Sequence, residues 1–297
     1  MDQRYVIIPA VSLGLIAEKL LQQQASAIPF GISSKGIYLR TPDDWNLFLS
    51  YEKFRGPLTV NLSGEHATIP TIRQDSRVTL DPSKITFPDN GLQINLADTQ
   101  VWNKPLPSGK ISAEISRIRL MKGLEQALKI TEGNEYRGLL LSILNNKSLP
   151  GSFFPGFDKP LSQFLAAIKP GELRPDDLVL SGLLGLGPGL TPLGDDIILG
   201  AILTMNRWGK ILRIEVQLEN LNTQLLQTAR LTTSTLSANL LTSAIEGFAD
   251  ERLLAVLDSF FTGDESTQAD LEKLLKWGSS SGIAVLAGMT AVITRLL

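Results

Sequence analysis

Pro105-Leu106-Pro107-Ser108-Gly109 divides the chain into two kinds of sequence. Two prolines and a glycine within five positions are a poor start for either a helix or a strand. Before this stretch, short runs with β-branched residues alternate with turn chemistry. Arg4 to Pro9, Gly36 to Arg40, Leu58 to Leu62, Arg77 to Leu80, Lys84 to Phe87 and Leu92 to Leu96 read as strands. Pro42-Asp43-Asp44, Asn61 to Gly64, Asp81-Pro82-Ser83 and Asp89-Asn90-Gly91 are the turns between them. The spacing is that of a small antiparallel sheet or barrel, with one helix at Leu13 to Gln24.

After it, apolar residues recur at helical spacing almost throughout. Helices are expected over Glu114 to Ile130, Glu135 to Leu144, Leu161 to Ile168, Pro175 to Leu184, Ile197 to Trp208, Glu215 to Gly247, Glu251 to Phe261, Thr267 to Trp277 and Ile283 to Leu297. The long run from 215 to 247 is expected to break near Thr232 and Thr233. Gly151 to Pro160, with Pro155 and three phenylalanines, reads as a loop. The class is therefore α+β: a β-rich domain, 1–110, packed on a larger all-helical domain, 111–297.

Bulk composition bounds the function. The 297 residues are 43% hydrophobic and 20% charged, enough to bury a core. A net charge of −2 carries no basic excess, which argues against nucleic acid and anionic membranes as partners. The absence of cysteine removes disulfides, thiolate metal sites and a cysteine nucleophile. It fits a cytoplasmic protein. The opening residues read as no signal peptide, and the apolar stretches 178–205 and 282–297 read as buried segments rather than membrane spans. The one histidine, His66, lies in Asn61-Leu-Ser-Gly-Glu-His-Ala-Thr68 and reads as a surface turn residue.

Chemistry concentrates at Ser181-Gly-Leu-Leu-Gly-Leu-Gly-Pro-Gly-Leu-Thr-Pro-Leu-Gly-Asp-Asp-Ile-Ile-Leu-Gly200. Gly185, Gly187, Gly189 and Gly194 permit positive φ and close approach, while Pro188 and Pro192 stiffen the same loop. Asp195 and Asp196 fall in the first turn of the helix that follows. One capping carboxylate would satisfy the helix start; two, behind four glycines, point to a ligand. Loop amides can cradle an anion such as phosphate, and the aspartates can hold Mg²⁺ or handle protons. The pattern lacks the Gly-Lys-Ser/Thr of a phosphate-binding nucleotide loop and the strand–helix repeat of a dinucleotide fold.

Two further clusters resemble ligand sites. Arg230-Leu-Thr-Thr-Ser-Thr-Leu-Ser237 would put Arg230, Thr233 or Ser234, and Ser237 on one helix face, a cation with two hydroxyls suited to a carboxylate or phosphate. An ordinary polar face explains it as well. In Gly278-Ser-Ser-Ser-Gly282, Ser280 and Ser281 open an apolar helix as N-caps, with amides that can also meet an anion.

Together, GLGPGLTPLGDDIILG, RLTTSTLSANLLTSAIEG and GSSSGIAVLAG resemble the family that includes the AllH subunit of oxamate carbamoyltransferase. The resemblance runs from about Leu178 to the end and is loose before it. It departs at Leu193, where the family usually has a small polar residue, and at Ile283-Ala284, where an acidic residue often follows the serine turn. The resemblance implies carbamoyl transfer in anaerobic purine (allantoin) breakdown: oxalurate and phosphate give oxamate and carbamoyl phosphate, with other, unrelated subunits as partners. In that reading Gly187 and Gly189 amides meet the phosphate-like group and Thr191 donates a hydrogen bond. Asp195 and Asp196 bind Mg²⁺ or steer protons, and Arg230 anchors the substrate carboxylate. A Mg²⁺-dependent phosphotransferase or hydrolase of a small metabolite, and a non-catalytic partner subunit, are the alternatives.

Overall fold

In a computed structural model, the described residues are 5–63, 72–108, 111–145, 155–169, 172–173, 182–212, 215–263 and 268–297. His66 and most of the helix expected at Pro175 to Leu184 lie outside them. The chain forms two compact units, Met1–Pro105 and Leu106–Leu297, and its class is α+β.

In the first unit the strands are β1 (Val6–Gly14), β2 (Ser26–Ser33), β3 (Gly36–Arg40), β4 (Asn46–Ser50), β5 (Thr59–Leu62), β6 (Val78–Asp81), β7 (Lys84–Phe87), β8 (Leu92–Asn95) and β9 (Gln100–Trp102). Helix α1 (Leu15–Gln22) follows β1 directly. Neighbours run β5-β4-β3-β2-β6-β7-β8-β1, and β1 pairs back onto β5, so eight strands close into a barrel with β9 added beside β1. Closure removes the free edges that an open sheet would expose. β1 makes it possible by serving two neighbours: Val6 to Pro9 pair with β8, and Ala10 to Leu13 pair with β5 around a register shift. The interior is filled by alternating residues in register, such as Leu39 opposite Leu47, Ile85 opposite Ile94 and Phe87 opposite Leu92, all fully buried.

Three strands escape the sequence reading. β2 contains Pro29 and Gly31, both strand breakers, and accommodates them at a bulge against β3. β4 is leucine-rich, lacks β-branched residues and is buried on both faces, so it has no alternation to read. β9 is only three residues long. Of the expected sheet or barrel it is the barrel that forms, and not all of its pairing is antiparallel: β1–β8, β4–β5 and β1–β9 are parallel pairs. Strand direction depends on which neighbours the chain returns to, and that is not written in local pattern.

The helices of the second unit are α2 (Ala113–Ile130), α3 (Arg137–Asn145), α4 (Asp158–Ala167), α5 (Leu193–Leu212), α6 (Glu215–Thr232), α7 (Thr235–Ile245), α8 (Glu251–Thr262), α9 (Gln268–Leu275) and α10 (Ser281–Leu296). This part is not wholly helical. Ile168–Lys169 and Glu172–Leu173 form a two-residue antiparallel pair, β10 and β11. α4 also begins three residues earlier than expected, because Asp158 at its start stabilises the first turn and Pro160 is tolerated there.

α5 and α10 are the centre of this unit. Nearly every side chain from Leu193 to Trp208 and from Gly282 to Ile293 is buried, which is how a helix reads when it is surrounded on all sides. The two approach until backbones touch. A Cβ on Gly200 would lie 2.0 Å from the Val285 carbonyl oxygen, and one on Gly288 would lie 1.9 Å from that of Ile197. This close crossing sets the start of α10 beside the start of α5. α5 is also tied to α8 by Arg207, whose Nε and Nη2 donate to Asp258 at 2.6 and 2.9 Å, with Trp208 Nε1 donating to the same carboxylate at 3.2 Å.

Candidate functional site

The loop before α5 is folded back onto the helix it introduces. The Leu186 N–H donates to the Leu183 carbonyl at 3.2 Å, and the Gly194 N–H donates to the Leu186 carbonyl at 2.9 Å. Between these turns Gly185 sits at φ +76°, and a Cβ there would lie 2.2 Å from the Thr232 carbonyl oxygen. Only glycine meets both conditions. The close approach lets the end of α6 rest against the loop, and it aims the Gly185 N–H at Asp195 Oδ1, 2.6 Å away.

Asp195 and Asp196 are both buried, at 2% and 1% exposure. Each is held by hydroxyls from distant parts of the chain. Thr233, in the short break between α6 and α7, donates to Asp195 Oδ2. Thr191 donates to Asp196 Oδ2 at 3.4 Å and lies 3.3 Å from Ser281 Oγ, which itself hydrogen-bonds Asp196. Ser234 Oγ donates to the Leu190 carbonyl at 2.6 Å and accepts from the Ser237 N–H as the cap of α7. The Ser237 hydroxyl faces Asp195 and favours its charged form. That approach is too loose for ordinary hydrogen-bond geometry, and the hydroxyl is buried with no other partner.

The electrostatics follow from burial. Desolvation pushes Asp196 up to about 8, and the charge of Asp195 adds to this; hydrogen bonds from Ser281 and Thr191 oppose it. Asp195 is also raised by desolvation, against the Gly185 amide and the Thr233 and Ser237 hydroxyls. Among the described residues no cation contacts either carboxylate. The arrangement is a carboxylate–carboxylic acid pair that retains a proton at neutral pH, in the manner of paired acids that cannot both ionise.

The remaining expected residues are spread around this pair. Gly187 and Gly189 have φ of +123° and +101°; Gly189 and Leu190 are exposed, at the outer rim of the loop. Arg230 is exposed on the last turn of α6 and is not joined to either aspartate. The single helix face expected for Arg230, Thr233 and Ser237 does not form, because the helix ends at Thr232 and restarts behind the Ser234 cap. The break instead turns Thr233 and Ser237 inward while Arg230 stays outside. Ser280 is the N-cap position of α10 but makes no capping hydrogen bond. Its hydroxyl meets Tyr136, just before α3, whose own hydroxyl is raised by burial. Tyr136 was missed in the sequence because a lone tyrosine in a polar turn carries no pattern.

Mg²⁺ requires oxygen ligands with free lone pairs in octahedral array. Here N–H and O–H donors already point at both carboxyl groups and Asp196 favours its neutral form. No group of three or more acidic or histidine side chains assembles among the described residues. The donor set fits a proton-sharing pair rather than a divalent-ion cage, and no step below runs through a metal.

Among the described residues no helix is long and apolar enough to cross a membrane. No curated protein matches the chain, and no solved structure does. Residues 183–293, the stretch that carries all three motifs and both aspartates, match the model of the family described as oxamate carbamoyltransferase subunit AllH.

Proposed function

We propose that this chain is a catalytic subunit of an oxamate carbamoyltransferase-type enzyme and that Asp195 and Asp196 form its proton-transfer centre. The supporting observation is the buried, hydroxyl-ringed acid pair, assembled from three segments that all lie within the family match. In the reaction a phosphate oxygen attacks the ureido carbonyl carbon of oxalurate. The new C–O bond gives carbamoyl phosphate, and the C–N bond to oxamate breaks. The departing nitrogen needs a proton, and the attacking hydrogen phosphate must lose one. A pair holding one proton between two carboxyl groups supplies both needs without net change: Asp196 protonates the nitrogen while Asp195 receives the phosphate proton. The anionic ends of both substrates lie toward the loop rim, where Gly187 and Gly189 amides and Arg230 provide positive potential. The partners are the small anionic metabolites phosphate, carbamoyl phosphate and oxamate, together with further subunits of the complex.

The test is oxamate-dependent release of phosphate from carbamoyl phosphate, measured with the full chain in its complex. Asp195→Asn and Asp196→Asn are each expected to lower kcat by about 10²-fold or more, the usual scale for a lost general acid or base. Unchanged turnover in Asp195→Asn would assign the chain a non-catalytic role.

A further inference from the structure

We infer that the cluster formed by Asp195, Asp196 and Ser237 recognises the primary amide –NH₂ of oxamate, and so selects this substrate by its N–H donors rather than by its charge. The inference rests on the carbamoyl-transfer reading and specifies which substrate atoms this site takes.

Three observations converge on it. First, the charge is wrong for an anion. Two buried carboxyl groups lie together with no contacting cation among the described residues, so an anionic oxygen with no proton to donate would be repelled there. Second, acceptor capacity is left over. An ionised carboxylate offers about four lone-pair directions. Asp195 spends one on the Gly185 N–H and one on the Thr233 hydroxyl, one on each oxygen. Third, the Ser237 hydroxyl is 2% exposed and, beyond its loose approach to Asp195, has no hydrogen-bond partner, so its lone pairs are unused. A buried hydroxyl without a partner costs stability. A ligand that completes its bonding removes that cost.

A primary amide matches this set. It brings two N–H donors and one carbonyl acceptor on a neutral, planar group. One N–H reaches the open lone pair of Asp195 and the other reaches Ser237 Oγ, which sets this nitrogen, the one that reacts, beside the Asp196 carboxyl. The hydroxyls of Thr191, Thr233, Ser234 and Ser281 around the pair are half-buried, and Ser234 bonds the exposed rim at Leu190. A ligand can therefore enter with its amide first and its anionic end still at the rim.

Oxamate and pyruvate carry the same charge and differ by –NH₂ against –CH₃, so they isolate the amide. Calorimetric titration of the full chain at pH 7 is expected to show oxamate binding at least tenfold tighter than pyruvate. Ser237→Ala is expected to weaken oxamate by roughly fivefold, the scale of one hydrogen bond, and to leave pyruvate unchanged. Its ligand-free melting temperature should hold, since the hydroxyl has no partner to lose. Pyruvate binding within twofold of oxamate would overturn the amide assignment while leaving the carbamoyl-transfer reading in place. If oxamate, pyruvate and carbamoyl phosphate all fail to bind, both fall together.

Discussion

At the scale of single residues, Asp196 carries an unusual cost. Folding moves this carboxyl from 3.8 up to about 8, so across that interval the folded chain binds a proton that the unfolded chain has released. Stability contributed by the group is therefore present below about pH 4, declines as pH rises and is fully lost above about pH 8. Asp195 is raised too and adds a slope of the same sign. Asp196→Asn removes the first contribution and keeps the shape of the side chain. Its melting temperature is expected to exceed that of the wild type at pH 8, by an amount corresponding to a few kcal/mol on the order of the linkage. At pH 4 the two should nearly coincide. A difference independent of pH would show that Asp196 ionises normally. Activity should move the other way, since the strained pair is what the proposed chemistry uses. Gly185 provides a second residue-scale test. Ala at this position meets the Thr232 carbonyl oxygen and must hold a positive φ, with an expected loss of about 1–3 kcal/mol in denaturant unfolding.

At the scale of elements, the crossing of α5 and α10 decides the site. Because Gly200 and Gly288 each face the partner backbone, Ala at either position must push the helices apart rather than displace a side chain. Gly288→Ala is expected to destabilise by about 1–3 kcal/mol or more. It should also weaken oxamate binding, since it separates Ser281 from Thr191 and Asp196. Equal affinity in a destabilised variant would show that the crossing serves stability alone. The Arg207–Asp258 pair answers a different question. Its side chains are 1% and 11% exposed, and Asp258→Ala removes the carboxylate that takes the Nε and Nη2 donors of the buried guanidinium. The expected cost is about 3–5 kcal/mol, the scale for removing one partner of a buried ion pair, with ligand affinity unchanged. The two substitutions thus separate packing that shapes the site from packing that only supports it.

At the scale of the whole molecule, each unit has its own core. The barrel closes on itself and buries a continuous set of residues from Ile8 to Leu96. The helical unit is organised around α5 and α10. Fragments 1–105 and 106–297 are therefore each expected to unfold cooperatively when produced separately, with circular dichroism of β and α type respectively. The second fragment should retain oxamate binding, because every residue of the candidate site lies in it. Failure of that fragment to bind would show that Asp195, Asp196 and Ser237 do not suffice for recognition.

The α+β class was legible because strands and helices differ in local periodicity, and a window of ten residues contains that signal. The strands at 36–40 and 84–87 and the break after Thr232 were readable for the same reason. So were two aspartates in the opening turn of α5, which needs only a glycine-rich loop followed by an apolar run. β2 and β4, the parallel pairs and the closure of β1 onto β5 were not, because they depend on partners tens of residues away. The same limit applies to the site. Thr233 reaches Asp195 across 38 positions, and Ser281 reaches Thr191 across 90. Local sequence determined which groups were available and where each helix began. Only tertiary packing decided which of them face one another, and through burial it decided that Asp196 keeps its proton and that Arg230 stays in solvent. The reason is that desolvation and backbone contact arise only when separate segments exclude water together.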